Sequence, residues 1–469
     1  RFERIMMSHS KQKRYLCAAT VIAVLASAFG CSPVQEGDSS APAKQSWLQI
    51  VNSYEEDKTM RIGAHGEPEP TLEAYRTAAE MGLNFTFLVE NKDNPSVYDL
   101  AEQVGMKVIP SMGNTLSSFK GMDWSDDWSQ YSSVFAVDYF DEPRAAQFDI
   151  ISEWVDIHNE KYAATNGEKP LFWVNMLPRD AAEHIRPQTD EEFLAEYCEK
   201  VLSKVNGNAI LSYDYYPLQS SWLDGKFRFN YLAEGWLRTL ELNAKYAKQY
   251  GFDTHAYLQT CGFYQPSETG YSWTCHMSDE DDLRFQAYVS MAFGIRNFTH
   301  FTYKTSELYG QGLGYTQACV NKDGTINDLY YDAQAVNREL LSLDHVYLSY
   351  DYVGTKCFVG TENESGKNTA FDRLEYGLRE LEGISSVTCT QDTVIGALKD
   401  ETGRRGFVVV NYTEPTAEKS DTVEITVPES VRSYAVYSKG EWKEVKAEQG
   451  KISISLLPGQ GVFAIEIEE

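Results

Sequence analysis

Basic residues are scarce beside acidic ones in this sequence. Forty-two Lys and Arg face 69 Asp and Glu, a formal net charge of −27. A nucleic-acid backbone needs basic patches to replace its counterions, so such a ligand is disfavoured and a neutral or cationic one fits better. Paired metal motifs are also missing. Past residue 31 the cysteines are Cys198, Cys261, Cys275, Cys319, Cys357 and Cys389. None forms a CxxC pair and no His cluster accompanies them, so no metal is expected. Cys261 and Cys275 bracket one loop, and free buried thiols are the favoured reading of all six. No Gly-rich phosphate fingerprint follows the first strand: Gly63-Ala64-His65-Gly66-Glu67-Pro68 is not a dinucleotide turn, so no nucleotide cofactor is expected. What is present is apolar and aromatic. Hydrophobic residues make up 42%, enough for a large core, and aromatics 13%. Aromatic excess without basicity is the composition of sugar binders, and equally of a well-filled core.

The N-terminus reads as a targeting segment. Lys11, Lys13 and Arg14 precede an apolar run from Leu16 to Gly30, too short to span a membrane comfortably. Met6 or Met7 is the expected start. Ala28-Phe29-Gly30-Cys31 resembles the lipobox of bacterial lipoproteins, which implies cleavage before Cys31 and lipid on its thiol. An ordinary secretory signal is the alternative. Residues 31–48 read as a disordered tether rich in Ser, Pro, Ala and acids. Its Gln35-Glu36-Gly37-Asp38 is similar to export signals of surface lipoproteins in glycan-degrading Gram-negative bacteria. Without residues 1–30, 37 basic residues stand against 68 acidic ones, a net charge of −31.

From residue 60 to 345 strand-like and helix-like segments alternate. Strands are expected at 60–66, 83–90, 106–113, 134–140, 170–177, 208–216, 252–260 and 295–303. Helices are expected at 71–81, 96–104, 145–164, 191–205, 229–250, 279–293 and 332–343, and the stretch 117–132 reads as loop. Eight such units imply a (β/α)8 barrel over residues 49–345. Beyond residue 346 short strands separated by turns, such as Lys439-Gly440 and Pro458-Gly459, imply an antiparallel β-sandwich.

A barrel of this kind builds its site at the carboxyl ends of its strands. Those ends carry His65, Glu90, Asn91, Asp141, Glu142, Asn175, Tyr213, Asp214, Gln259 and Tyr303. Carboxylates, amides and aromatics dominate and cations are few, which favours a neutral polyhydroxyl substrate over a phosphorylated one. Hydrolysis of a glycosidic bond needs two carboxyl groups, one to protonate the leaving oxygen and one to attack carbon or activate water.

The stretch Phe135-Ala136-Val137-Asp138-Tyr139-Phe140-Asp141-Glu142-Pro143 looks like the fourth strand of clan-A glycoside hydrolases, where an Asn-Glu-Pro or Asp-Glu-Pro carries the acid/base glutamate. Leu211-Ser212-Tyr213-Asp214-Tyr215-Tyr216-Pro217 resembles the sixth strand of bacterial barrel hydrolases. Asp323-Gly324 through Tyr330-Tyr331 to Asn337-Arg338-Glu339 looks like the last-helix region of β-galactosidase-like barrels, and the following sandwich matches that layout. The resemblance implies Glu142 as general acid/base. It also implies a nucleophilic Glu on strand seven, where this chain has Gln259; an amide cannot take that role. Asp214 is then the leading second carboxylate, with a substrate hydrogen-bond acceptor or a residue orienting Tyr213 as its alternatives. Glu90 follows, or forms a loop salt bridge. If Asp141 points inward, strict alternation puts Phe135, Val137 and Tyr139 inward too, and Asp214 brings Ser212 and Ile210 with it. Asp141, Asn175, Tyr213, Gln259, Tyr303, His65 and Glu90 are read as substrate contacts, His65 with a satisfied barrel histidine as its alternative. Trp124, Trp128, Trp222 and Trp273 are candidates for stacking on sugar rings. The expectation is an exported, lipid-anchored glycosidase of poly- or oligosaccharides without cofactor, or a non-catalytic glycan binder on the same scaffold.

Overall fold

A closed ring of eight parallel strands holds the N-terminal half together. The computed structural model describes residues 46–115, 118–164, 169–177, 188–223, 226–267, 270–306, 314–417 and 419–468, with the backbone path alone between 221 and 231 and between 265 and 273. The ring strands are β1 (Ile62–His65), β2 (Phe85–Leu88), β3 (Lys107–Pro110), β4 (Ala136–Asp141), β5 (Leu171–Met176), β6 (Ile210–Tyr213), β9 (Asp253–Gln259) and β12 (Asn297–Phe301). They pair in the order β3-β2-β1-β12-β9-β6-β5-β4. Parallel bridges Val108–Val134, Ser111–Asp138 and Thr115–Asp141 close β3 onto β4. This is the expected (β/α)8 barrel.

Its helices follow from capping and stop signals. Helix α2 (Leu72–Glu80) starts at Thr71, whose side chain accepts the Ala74 N–H, and gives way to Gly82 at φ 91°. Helix α3 (Ser96–Gln103) follows β2, α4 (Phe148–Lys161) follows β4 and α5 (Asp190–Lys200) follows β5. Helix α6 (Trp236–Tyr250) stops at Gly251 in the left-handed region. Helix α7 (Glu280–Ala292) opens with a capping box between Asp279 and Asp282, and α8 (Asp328–Tyr347) closes the ring. Among the described residues the β3–β4 connection holds one 3-10 turn, Trp128–Gln130, as its loop-like sequence implies.

The barrel interior is filled by Phe85, Phe87, Ile109, Phe135, Trp173, Ile210 and Tyr257. Gly63 makes this possible. A Cβ there would lie 2.3 Å from the Phe85 ring, so only glycine lets that ring cross the axis. His255 is a satisfied interior histidine, its nitrogens 2.9 Å from Ser212 Oγ and 2.7 Å from Thr299 Oγ1.

Three excursions leave the carboxyl ends of β6, β9 and β12. They form β7 (Leu218–Leu223), β8 (Lys226–Leu232), β10 (Phe263–Ser267), β11 (Gly270–Cys275) and β13 (Gly314–Tyr315), an antiparallel sheet in the order β13-β10-β11-β7-β8. Residues 229–232, expected in the helix before 250, belong to β8, and α6 begins only at Trp236.

The C-terminal part is the expected sandwich. One sheet has the order β14-β16-β17-β22-β19-β20: β14 (Tyr350–Phe358), β16 (Thr393–Asp400), β17 (Arg405–Asn411), β22 (Gly461–Glu468), β19 (Val431–Ser438) and β20 (Glu441–Lys446). The other comprises β15 (Ser386–Thr388), β18 (Asp421–Thr426) and β21 (Lys451–Leu456). Val409, Ile425, Tyr434, Ile454 and Val462 share the core between them. Helix α1 (Trp47–Val51) begins two residues inside the segment read as tether, because Ile50 and Val51 are buried in the main core. Cys31 and the apolar N-terminal run lie outside the described residues. Among the described residues no helix is long and apolar enough to cross a membrane, and all six cysteines are free.

Candidate active site

Strand β4 departs from strict alternation. Its pairing with β5 runs Asp138 to Trp173 and then Phe140 to Val174, so Tyr139 is an extra residue in a bulge. The bulge reverses side-chain parity halfway along the strand. Val137 and Tyr139 therefore pack outward, Tyr139 with its hydroxyl 2.8 Å from His158 Nδ1 on α4. The expectation that they fill the barrel is corrected. Asp138 and Asp141 both turn inward. Ser111 Oγ donates to Asp138 at 2.8 Å.

At the mouth the side chain of Asn175 joins two strands. Its Nδ2 donates to Asp141 Oδ1 at 3.2 Å and to Asp214 Oδ1 at 3.3 Å, while its Oδ1 accepts from Ser212 Oγ at 2.9 Å. Two oxygens that share one donor nitrogen cannot be farther apart than the two bonds laid end to end, about 6.5 Å. Ser212 and Ile210 face inward with Asp214, as alternation on β6 requires. Glu142 follows Asp141 at φ 57°, a left-handed conformation rare outside glycine, and its N–H donates to Asn175 O at 2.8 Å.

Electrostatics make this cluster protonatable near neutrality. Burial, then the Asp141 charge, pushes Glu142 up to about 7. Burial, then Glu142 and Asp141, raises Asp214 well above the carboxylate range, against the pull of Asn175. Asp141 is raised by burial and lowered by Asn175. Asp138 rises to about 7 through burial and Asp141. Carboxyls this close, with no opposing cation among the described residues, cannot all ionise cheaply and share protons.

Aromatic rings wall the site. Tyr257, inward on β9, stands among Asp141, Asp138, Asp214 and Glu142, and burial with their charges holds its phenol well above its ordinary value. Tyr216, Phe263, Phe301 and Tyr315 form a contiguous cluster, Phe263 lying 4.8 Å from Tyr216 and 5.3 Å from Tyr315 between ring centroids. His65 is half-buried between Phe87 and Phe301, and desolvation pulls it down to about 4, so it is neutral at physiological pH. Tyr257 and the wall were missed from sequence. Tyr257 shares inward parity with His255 and Gln259, and the alternating run around Asp224-Gly225 carries a hairpin signal that could have revealed β7 and β8.

Several expected contacts lie elsewhere. Gln259 is fully buried and spent: its Oε1 accepts the Leu218 N–H at 3.0 Å, and its Nε2 donates to Leu218 O at 2.9 Å and His276 O at 2.7 Å. It anchors the excursion sheet and has nothing left for a sugar. Tyr213 points outward, lining a small cavity with Phe193, Leu194 and Leu242, as alternation with Asp214 dictates. Tyr303 lies past the end of β12 and packs in the outer core beside Cys319 and Tyr330. Glu90 is exposed, in a turn held by Glu67, whose carboxylate accepts the N–H groups of Val89, Glu90 and Asn91. Trp124 packs on Tyr139 and Trp128 on Tyr98, both as loop core. The side chains of Trp222 and Trp273 lie outside the described residues.

No family model and no curated protein matches this chain. Among solved structures it is similar to a family 39 glycoside hydrolase from Bacteroides cellulosilyticus, with 8% identity over 88% of this chain and 81% of that one and a TM-score of 0.47. It is also similar to a family 27 β-L-arabinopyranosidase from Geobacillus stearothermophilus, with 9% identity over 88% and 97% of the two chains and a TM-score of 0.47. A third is α-galactosidase I from Mortierella vinacea, with 8% identity over 88% and 97% and a TM-score of 0.45.

Proposed function

We propose that this chain is an exported, lipid-anchored glycoside hydrolase that cleaves a poly- or oligosaccharide with Glu142 and Asp214. The observation that carries the reading is the carboxylate cluster at the mouth of the barrel, with Asn175 bonded to Asp141 and Asp214 and Glu142 beside them. Glycoside hydrolysis needs one protonated and one ionised carboxyl at a single bond. Asp141 raises Glu142, and Glu142 with Asp141 raises Asp214, so the cluster retains a proton at neutral pH. Glu142 receives no protein hydrogen bond among the described residues, which leaves its proton free to reach a leaving oxygen. Asp214 accepts one from Asn175, which pulls it toward the ionised form against burial and the charges of Glu142 and Asp141, and it is assigned as nucleophile or base. Asp141 orients Asn175 and offers a further acceptor to substrate hydroxyls. The aromatic wall supplies faces for sugar rings.

Glu142→Gln keeps shape and removes the proton. Turnover on a natural glycoside should fall about 10²–10⁴-fold with affinity nearly constant, and an activated aryl glycoside should lose much less. Asp214→Asn should depress both substrates alike. Unchanged hydrolysis by Glu142→Gln would overturn the assignment, and glycan binding without release by the parent chain would make it a binding protein. The lipid anchor rests on Cys31. Cys31→Ala should shift the protein from the detergent-rich membrane fraction to the soluble one, and an unmoved protein would refute the anchor.

A further inference from the structure

A second set of unpaired polar atoms gathers away from the mouth, where the barrel meets the sandwich. Three residues supply it: His276 between β11 and α7, Asp282 in the first turn of α7, and, from far along the chain, Glu414 in the loop between β17 and β18. One nitrogen or oxygen from each lies within 4.8 Å of the others. Asp282 is only 3% exposed. Its Oδ2 accepts the Asp279 N–H at 3.3 Å and stands 3.3 Å from His276 Nε2, while its Oδ1 is buried with no hydrogen-bond partner. Both ring nitrogens of His276 are buried and without a hydrogen bond. Glu414 Oε2 accepts from the N–H and the hydroxyl of Thr416, and its Oε1 is buried and unpaired. Native proteins leave few buried polar atoms unsatisfied. Here each of three converging side chains offers a lone-pair atom to the others: a carboxylate oxygen from Asp282, one from Glu414 and one nitrogen of the His276 ring. A cation serves all three.

The donor chemistry selects the cation. Calcium and magnesium take oxygen ligands, whereas an imidazole beside two carboxylates suits a first-row transition ion, zinc foremost. We propose that His276, Asp282 and Glu414 bind a zinc-class divalent cation, with water completing its shell, that clamps the sandwich to the barrel. The expectation of no metal rested on short-range motifs, and here Glu414 joins His276 and Asp282 from a distant loop. The site also reaches the mouth indirectly, because His276 O holds Gln259 at the root of the β10–β11 hairpin.

The test uses the full tag-free chain, stripped with chelator and titrated with zinc chloride in a calorimeter. One equivalent should bind, the melting temperature should rise by several degrees, and calcium should do neither. Glu414→Gln and His276→Ala should each weaken zinc binding at least tenfold. If His276→Ala fails to fold, Glu414→Gln on its surface loop carries the comparison. X-ray absorption at the zinc edge should show a mixed nitrogen–oxygen shell with one imidazole. No stoichiometric uptake, equal binding by Glu414→Gln, or equal affinity for calcium would each overturn the proposal.

Discussion

Asn175 is the side chain around which the mouth is organised. Among the described residues its amide is the one side-chain donor to Asp214, and it fixes Asp141 with the same nitrogen. Its neighbour Glu142 has no such support, and that has a consequence for stability. A carboxyl raised from 4.5 to about 7 holds its proton more tightly in the folded chain than in the unfolded one. Stability is therefore full below the unfolded value and is lost as pH climbs from about 4.5 toward 7. Asp138 and Asp214 act in the same direction. Glu142→Gln removes one of these contributions. In urea denaturation it should be more stable than the parent at pH 8 by about 1–3 kcal/mol, and the gap should close at pH 4.5. An identical pH slope in parent and variant would show that Glu142 is not strained in this way. The same protonation should make turnover fall above about pH 7.

At the scale of elements, periodicity made most of the fold legible. The inward run from Phe85 to Phe87 on β2, the capping at Asp279 and the stop at Gly251 are all local signals. So was the inward set Ile210, Ser212 and Asp214. What escaped was non-local. The bulge at Tyr139 is one inserted residue, and nothing in the composition of β4 marks it, because Val137 and Tyr139 suit either face. It still decides the site, since without it Asp138 and Asp141 could not both face inward. Gln259 was misread for the same reason. Strand and residue type suggested a sugar contact, but its partners Leu218 and His276 come from excursions whose pairing only the fold reveals. Gln259→Glu tests this. It would remove both amide donations and set a buried carboxylate against two carbonyl oxygens. The cost should be at least about 3 kcal/mol in urea denaturation, with no gain in turnover. A stable Gln259→Glu with faster hydrolysis would restore the seventh strand as a source of the nucleophile.

For the whole molecule, the sandwich is part of the barrel's burial. Helix α7 is buried nearly all round, with Leu283, Phe285, Ala287, Tyr288, Val289, Met291 and Ala292 among its buried residues. Two sandwich glycines let it approach. A Cβ on Gly396 would lie 2.1 Å from Ala292 O, and one on Gly461 would lie 2.3 Å from Tyr288 Cβ. Polar contacts close the seam: Glu339 on α8 accepts from Arg284 at 2.9 Å, Tyr288 at 2.9 Å and the Lys439 N–H at 3.2 Å. Gly396→Ala should therefore cost about 1–3 kcal/mol by overpacking against Ala292. The full chain should melt in one calorimetric transition, and Gly396→Ala should lower that transition without splitting it. Truncation after Ser349 goes further. It would strip the sandwich from the buried face of α7 and leave Arg284 without the Lys439 side of the Glu339 network. The truncated barrel should be poorly soluble and bind a hydrophobic dye, because an apolar face of that extent has no cover. A soluble truncated barrel that melts at the temperature of the full chain would show that the sandwich is a passenger and that the seam contributes nothing to the fold.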